Sequence, residues 1–355
     1  MTFQLVTAKF SVIFDDTVFK NFIAIIYKNA ALVGLLLGIL MIVFSAQLQH
    51  VFNTSSSTMF TIFGVGVPLY FLMSVNRGIY QGTKAFKKLS ITYQLEMWSR
   101  LIATLILIFL ADIPSSAIIA IGIFISFGFG LIPFKRNNIS FKKVEFMEAS
   151  NSKLVRNFFI ITAFYELTQI IINNSDILLV KHYFPSYEAG LYASLALIGR
   201  VVYFIAWMFV MLLLPTVVAL QKEGKPTAPI LLKYVVYIAS IASTIVVGCA
   251  LFPETVITLL FGDSYIAMAP LLWQYATATG LFAVSNIFAY YYLSLDRYIP
   301  VVLSGIFGML QVVLVIYYHT NLQEVVQMQM RAMLFLLFVQ LMFFYSETRQ
   351  VKKTI

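Results

Sequence analysis

The chain has 355 residues, of which 61% are hydrophobic and only 11% charged, whereas soluble domains are about 45–50% apolar and about 25% charged. This composition excludes a soluble enzyme, and the net charge of +9 does not indicate a nucleic-acid binder, because the basic residues lie in short runs between apolar stretches. With one cysteine and three histidines, the sequence has no cluster with metal-ligand spacing, so we expect no disulfide, no metal site and no cofactor.

Ten apolar stretches are long enough to cross a bilayer, whose core of about 30 Å needs about 20 residues of helix. They lie near residues 23–46, 59–79, 91–111, 114–134, 156–180, 187–214, 230–252, 266–292, 299–318 and 323–345. The opening stretch, 1–14, is apolar but short for a span, and it lacks the basic start and cleavage site of a signal peptide. We predict an all-α, polytopic transmembrane helix bundle of about ten spans.

Lysine and arginine mark cytoplasmic loops, and 20 of the 24 fall on one side of the predicted topology, Lys9 and Arg77 among them. The other side has only Lys181 and Arg331. We therefore expect a multi-pass protein with both termini in the cytoplasm.

The basic connector from Lys135 to Lys153 separates four spans from six, and we predict two lobes, 1–140 and 141–355. The later lobe repeats the earlier one at an offset of 209 residues, which pairs Phe261 with Phe52 and Arg297 with Lys88. The repeat is parallel and leaves the fifth span and most of the sixth without a counterpart. A six-plus-six pseudo-symmetric transporter lacking its first two helices is the simplest architecture; a genuine ten-helix protein is the alternative.

Three local patterns occur in the same order as in a known family. They are Arg77-Gly78-Ile79-Tyr80-Gln81-Gly82, the stretch 174–193 with its Asn-Ser-Asp and Glu-Ala-Gly-Leu-Tyr-Ala segments, and the Leu-Phe-Gly-Asp-Ser-Tyr segment at 260–265. With these patterns the chain resembles the polysaccharide flippases of the MOP superfamily, which also contains lipid II flippases and MATE-type drug exporters.

The resemblance implies two lobes around a central cavity that opens alternately to each side of the bacterial cytoplasmic (inner) membrane. The expected cargo is an oligosaccharide on undecaprenyl diphosphate, translocated for cell-surface polysaccharide such as the O-antigen of lipopolysaccharide. The chain departs from the family at its front, since members usually have twelve or more helices. A MATE-like cation-coupled exporter of small molecules and an inactive N-terminally truncated fragment are therefore alternatives. A membrane polymerase or ligase is disfavoured, because the predicted outer loops are short.

We assign five ionisable residues to the membrane interior, where a charge near the bilayer centre costs about 2.5–3.5 kcal/mol and usually faces a cavity or a partner. They are Glu96, Arg100, Glu166, Asp176 and Arg200. Arg200 follows Glu188 by twelve residues, so it lies about 18 Å below the outer end of its helix. Because guanidinium binds phosphate through two donors, Arg200 and Arg100 are candidate diphosphate ligands, and Arg331 could guard the outer mouth. The alternative is an internal ion pair, which the i,i+4 spacing of Glu96 and Arg100 favours.

The fifth span carries a polar stripe, since its polar residues fall within about 80° of one another on a helix. The stripe comprises Thr162, Glu166, Gln169, Asn173 and Asp176. We expect it to line water or a polar substrate. A buried carboxylate can bind H⁺ or Na⁺ for coupling, and Glu166 is favoured over Asp176, which is nearer the outer surface; a plain hydrophilic wall is the alternative.

The sequence also contains three consecutive tyrosines, Tyr290, Tyr291 and Tyr292. We assign them to an interfacial aromatic belt rather than to a sugar-stacking site.

Overall fold

The computed structural model describes residues 1–52, 54, 56–134 and 148–354, with side chains described up to residue 349. Its regular elements are all helices, and they fall into two compact units, Met1–Phe159 and Ile160–Ile355. The predicted lobe boundary at 140/141 and the basic side chains at 135, 136, 142 and 143 lie outside the described residues.

In unit 1, the described residues form six complete helices and the start of a seventh. They are α1 (Thr2–Ile13), α2 (Asp16–Val43), α3 (Ser45–Phe52), α4 (Thr58–Gly82), α5 (Phe86–Leu110), α6 (Ser115–Gly130) and the first turns of α7 (Ala149–Tyr183). Unit 2 contains the rest of α7 and six further α-helices. These are α8 (Ser186–Lys222), α9 (Ala228–Leu251), α10 (Pro253–Phe261), α11 (Ala269–Ser294), α12 (Ile299–Tyr317) and α13 (Leu322–Thr354), with a 3₁₀ helix at Asp263–Met268.

Each of the ten predicted spans coincides mainly with one helix, and the prediction of an all-α membrane bundle is confirmed. Eight of the described helices are long and apolar enough to cross a membrane. Two predicted spans are absent from those eight. Helix α6 has only 16 residues, and α11 is long but polar, with Gln274, Ser285 and Asn286 along it.

The opening stretch, predicted to be too short for a span, forms the buried helix α1, in which Leu5, Val6 and Phe10 are fully buried. It packs against α4 at Gly78 and Gly82, which lie one turn apart. A Cβ at Gly78 would stand 2.5 Å from the carbonyl oxygen of Gln4, so this helix contact requires glycine at that position. This packing explains why glycine occurs at positions 78 and 82 of the Arg77–Gly82 motif.

Lys9 and Arg77 do not lie in loops, where the distribution of basic residues places them. Both lie inside helices rather than in loops, and their exposed fractions are 1% and 4%. Helix α4 continues to Gly82, so Arg77 lies more than a turn inside it, and the Lys9 ammonium stands 4.2 Å from the ring centroid of Phe158. Counting charges between apolar stretches does not detect such residues, because the count ignores which face of the helix they occupy.

Helix α11 lies at the centre of unit 2, packed against α8, α9 and α13. Tyr290 and Tyr292 are fully buried in it and Tyr291 is 5% exposed, so the interpretation of these tyrosines as an interfacial belt is wrong. A buried tyrosine hydroxyl usually finds a partner, and α11 places two of its tyrosines against carboxylates of α7.

Candidate substrate and coupling site

The polar stripe of α7 faces other helices of unit 2. Thr162, Gln169 and Asp176 are buried, while Glu166 and Asn173 are half-buried. Both carboxylates accept hydrogen bonds from tyrosines of α11, so these two members of the stripe meet polar partners inside the unit.

Asp176 is fully buried and accepts three side-chain hydrogen bonds on one oxygen. Its Oδ2 is 3.0 Å from the Tyr192 hydroxyl, 2.9 Å from the Tyr275 hydroxyl and 3.4 Å from Nε2 of Gln329. Its second oxygen, Oδ1, has no side-chain partner among the described residues. Donors converging on a carboxylate stabilise its ionised form, and here they come from α8, α11 and α13.

A glycine on α8 allows Tyr275 to reach Asp176. A Cβ at Gly199 would stand 2.5 Å from Cε1 of Tyr275 and 2.6 Å from Cγ2 of Thr279, closer than real Cβ contacts. The contact between α8 and α11 therefore depends on residue 199 being glycine, which has no Cβ. Gly199 immediately precedes Arg200, so the same turn of α8 that allows this approach also presents the guanidinium.

Arg200 is half-buried and its Nη2 donates to Oδ1 of Asn174 at 3.1 Å. In the described part of the chain no carboxylate lies within ion-pair distance of it. It lines a small cavity together with Asn173, Tyr275 and Gln329. The cavity measures about 10 Å³, room for about one water molecule, so a phosphate group fits only after the surrounding helices or the Arg200 side chain move.

In unit 1, charged residues of the spans form ion pairs with one another, and Arg77 is the first of them. The Arg77 guanidinium donates to Oγ1 and to the carbonyl oxygen of Thr92 at 3.0 and 2.9 Å, and its Nη2 lies 2.7 Å from Oε2 of Glu96. It also stacks 3.9 Å from the ring centroid of Tyr93. The hydrogen-bonding capacity of Arg77 is thus largely used inside the unit.

Arg100 pairs with the other carboxylate oxygen of Glu96, and its Nε donates to Oγ of Ser126 at 3.3 Å. Its side chain is 40% exposed, against 11% for Glu96. The ion-pair alternative of the sequence analysis is therefore what the structure contains at Glu96 and Arg100, extended by Arg77.

The remaining sequence-predicted residues lie apart from the cavity beside Arg200. Glu166 accepts a hydrogen bond from the Tyr290 hydroxyl at 2.8 Å. Arg331 is exposed on α13, while the buried polar residues of that helix are Gln329 and Gln340. Sequence reasoning did not find Tyr192, Tyr275 or Gln329, because each lies on a different helix and no periodicity links them to Asp176.

This arrangement of helices is also found in solved structures of MATE family transporters. The chain is similar to an outward-facing multidrug resistance MATE family transporter of the MOP superfamily, with a TM-score of 0.76 at 11% identity over 100% of this chain and 83% of that one. It is also similar to the Vibrio cholerae MATE transporter VcmN in the bent form, with a TM-score of 0.76 at 9% identity over 98% and 83%. An inward-facing MATE family transporter of the same superfamily gives a TM-score of 0.68 at 12% identity over 98% and 88%.

The family follows from the sequence itself. A family model described as "Polysaccharide biosynthesis protein" matches residues 11–270, and the chain belongs to that family. No curated protein sequence matches it. The resemblance stated from the three motifs is confirmed, and the family and the fold together identify a multi-pass membrane protein.

Proposed function

We propose that the chain translocates an oligosaccharide linked to undecaprenyl diphosphate across the bacterial cytoplasmic membrane, and that Arg200 binds the diphosphate. The family's description as a polysaccharide biosynthesis protein supports a glycan cargo. In this proposal both termini lie in the cytoplasm, no bond is made or broken, and transport follows from the two access states that cargo binding biases.

The state of Arg200 is the observation that supports the proposal most. Arg77 and Arg100 share the carboxylate of Glu96, so each of them has an ion-pair partner. Among the described residues, the hydrogen-bond partner of the Arg200 guanidinium is the neutral amide of Asn174. A guanidinium within a span is costly unless it serves a cavity or a partner, and Arg200 keeps its charge and most of its donors for an incoming anion.

The small size of the cavity beside Arg200 fits a gated site. A site that binds cargo in one access state and releases it in the other must change its volume between them. We infer that the diphosphate binds when α8 moves away from α11 and α13, which lets Arg200 exchange the Asn174 amide for phosphate oxygens. Charge-assisted hydrogen bonds of this kind contribute about 1.5–3 kcal/mol each.

A cation-coupled exporter of small molecules is the second candidate. It is favoured by the two carboxylates of α7, Glu166 and Asp176, each hydrogen-bonded to tyrosine, and by the multidrug resistance MATE transporter of similar fold. A cationic cargo would need these carboxylates and would be repelled by Arg200, so the two candidates predict opposite effects of removing the guanidinium.

The test uses the full chain reconstituted in liposomes with a fluorescent, short-glycan undecaprenyl diphosphate, and measures its transfer between leaflets. Arg200→Gln should slow transfer by about tenfold to a hundredfold, which corresponds to one lost charge-assisted hydrogen bond. Arg156→Gln, which removes an exposed arginine of α7, is the matched control and should behave as wild type. Unchanged lipid transfer in Arg200→Gln together with faster export of a cationic dye would favour the exporter.

A further inference from the structure

The two charged groups of unit 2, Asp176 and Arg200, share their surroundings. Tyr275 and Gln329 donate to Oδ2 of Asp176, and the same two side chains line the cavity beside Arg200. Asn174, which accepts the hydrogen bond from Arg200, is two residues from Asp176 on α7. The carboxylate and the guanidinium therefore share polar neighbours, and the ion pairs found among the described residues do not join them.

From this geometry we propose that Asp176 takes up a proton when an anion binds to Arg200. The inference rests on the proposed function and specifies how its binding site is regulated. In the empty site the positive charge of Arg200 compensates the nearby carboxylate through a medium of low polarity. A bound diphosphate pairs with the Arg200 cation and adds negative charge near Asp176. The ionised form of the Asp176 carboxylate then becomes unfavourable, and a proton from water neutralises it.

The linkage has a definite sign. If anion binding favours the protonated carboxyl, then protonation strengthens anion binding by the same factor. Acid conditions should therefore tighten binding of an anionic cargo. For a cationic cargo bound at the same carboxylate, acid would weaken binding.

The hydrogen-bond pattern favours a proton over a metal ion at Asp176. Its three partners all donate to Oδ2, whereas Na⁺ would need their oxygens turned toward it. Oδ1 has no side-chain partner in the described part of the chain, so a proton can bind there without disturbing the other three bonds. Among the described residues, no group of three or more His, Cys, Asp or Glu could hold a metal ion.

Few titratable groups face Asp176 from the described helices around it. Helix α8 contributes Tyr192 and, across the cavity, Arg200; α11 contributes Tyr275. Helix α13 contributes the neutral Gln329, and the neutral Gln311 of α12 bonds to α7 one turn away, at Ile172. Glu166 lies ten residues from Asp176, about 15 Å along α7, and Tyr290 holds it. Glu166 is therefore a matched control carboxylate.

The experiment measures binding of farnesyl diphosphate to the purified full chain by calorimetry in two buffers of different ionisation enthalpy. The difference in heat between the buffers gives the protons taken up per anion bound. For each anion bound, wild type and Glu166→Gln should take up about one proton more than Asp176→Asn. At neutral pH, Asp176→Asn should bind farnesyl diphosphate about tenfold more tightly than wild type, which is within the usual range of coupling. The probe's own titration is common to all variants and cancels in this comparison.

Infrared difference spectra of the wild-type protein provide a second measurement that needs no variant. Adding farnesyl diphosphate should produce a protonated carboxyl band that shifts on labelling with ¹³C-aspartate. The proposal is overturned if Asp176→Asn takes up as many protons as wild type, or if binding produces no such band. Equal affinity of Arg200→Gln and wild type for the probe would instead contradict the proposed function, so the two failures are distinguishable.

Discussion

Replacing Glu96 by Gln tests whether the charge cluster of unit 1 is structural. The substitution keeps the side-chain shape but removes the negative charge that Arg77 and Arg100 share. Arg77 is 4% exposed, and removing one partner of a buried pair costs about 3–5 kcal/mol, because the remaining charge is left uncompensated. The bonds from Arg77 to Thr92 survive, so we expect the lower end of that range, about 3 kcal/mol.

Arg100→Gln is the internal comparison. The Arg100 side chain is 40% exposed, and solvent-accessible ion pairs contribute only about 0–1 kcal/mol. Denaturant unfolding of both variants in mild detergent, followed by tryptophan fluorescence and circular dichroism, gives the two free energies. A Glu96→Gln variant destabilised by no more than Arg100→Gln would refute the argument that Arg77 depends on Glu96.

Two substitutions test the glycine contacts between helices. Gly78→Ala should destabilise unit 1 by about 1–3 kcal/mol, as overpacking does, because its Cβ would stand 2.5 Å from the backbone oxygen of Gln4. The control Gly128→Ala, whose Cβ would have nothing within 4 Å, should be neutral or stabilising. Equal shifts in the melting temperature of the two variants would contradict the close approach at Gly78. Gly199→Ala should lower the stability of unit 2 by a similar amount, because it displaces Tyr275, and it should remove the anion-linked proton uptake. The control Gly248→Ala, also in open space, should leave stability and proton uptake unchanged. Retained proton uptake in Gly199→Ala would show that the contact of α8 with α11 does not position the carboxylate of Asp176.

The sequence predicts those features of the fold that a single helix encodes. Hydropathy locates the ten spans, and the 3.6-residue period brings Glu166 and Asp176 to one face of α7. The i,i+4 spacing likewise predicts the pair of Glu96 and Arg100. Each of these relations lies within a few turns of one helix, where helix geometry alone fixes the distances.

Relations between helices are not predictable in this way. The donors to Asp176 are Tyr192, Tyr275 and Gln329, which lie 16, 99 and 153 residues from it in the sequence. A single sequence carries no signal for such pairings. Arg77 was misplaced for a related reason: its position near a helix end is typical of a loop cation, and only the packing of α4 against α5 brings it to Glu96.

The two units use charge within their spans in different ways. In unit 1, Arg77 and Arg100 flank one carboxylate and stabilise a fixed arrangement of helices. In unit 2, Asp176 and Arg200 share neighbours but do not pair, and neutral groups hold each of them, three donors for the carboxylate and one amide for the guanidinium. A direct pair would be expected to gain Coulomb energy, yet it would leave neither group able to respond to a ligand. Functional sites commonly give up stability in this way, and the separation is why we expect the proposed transport to depend on Arg200 and Asp176 rather than on the cluster of unit 1.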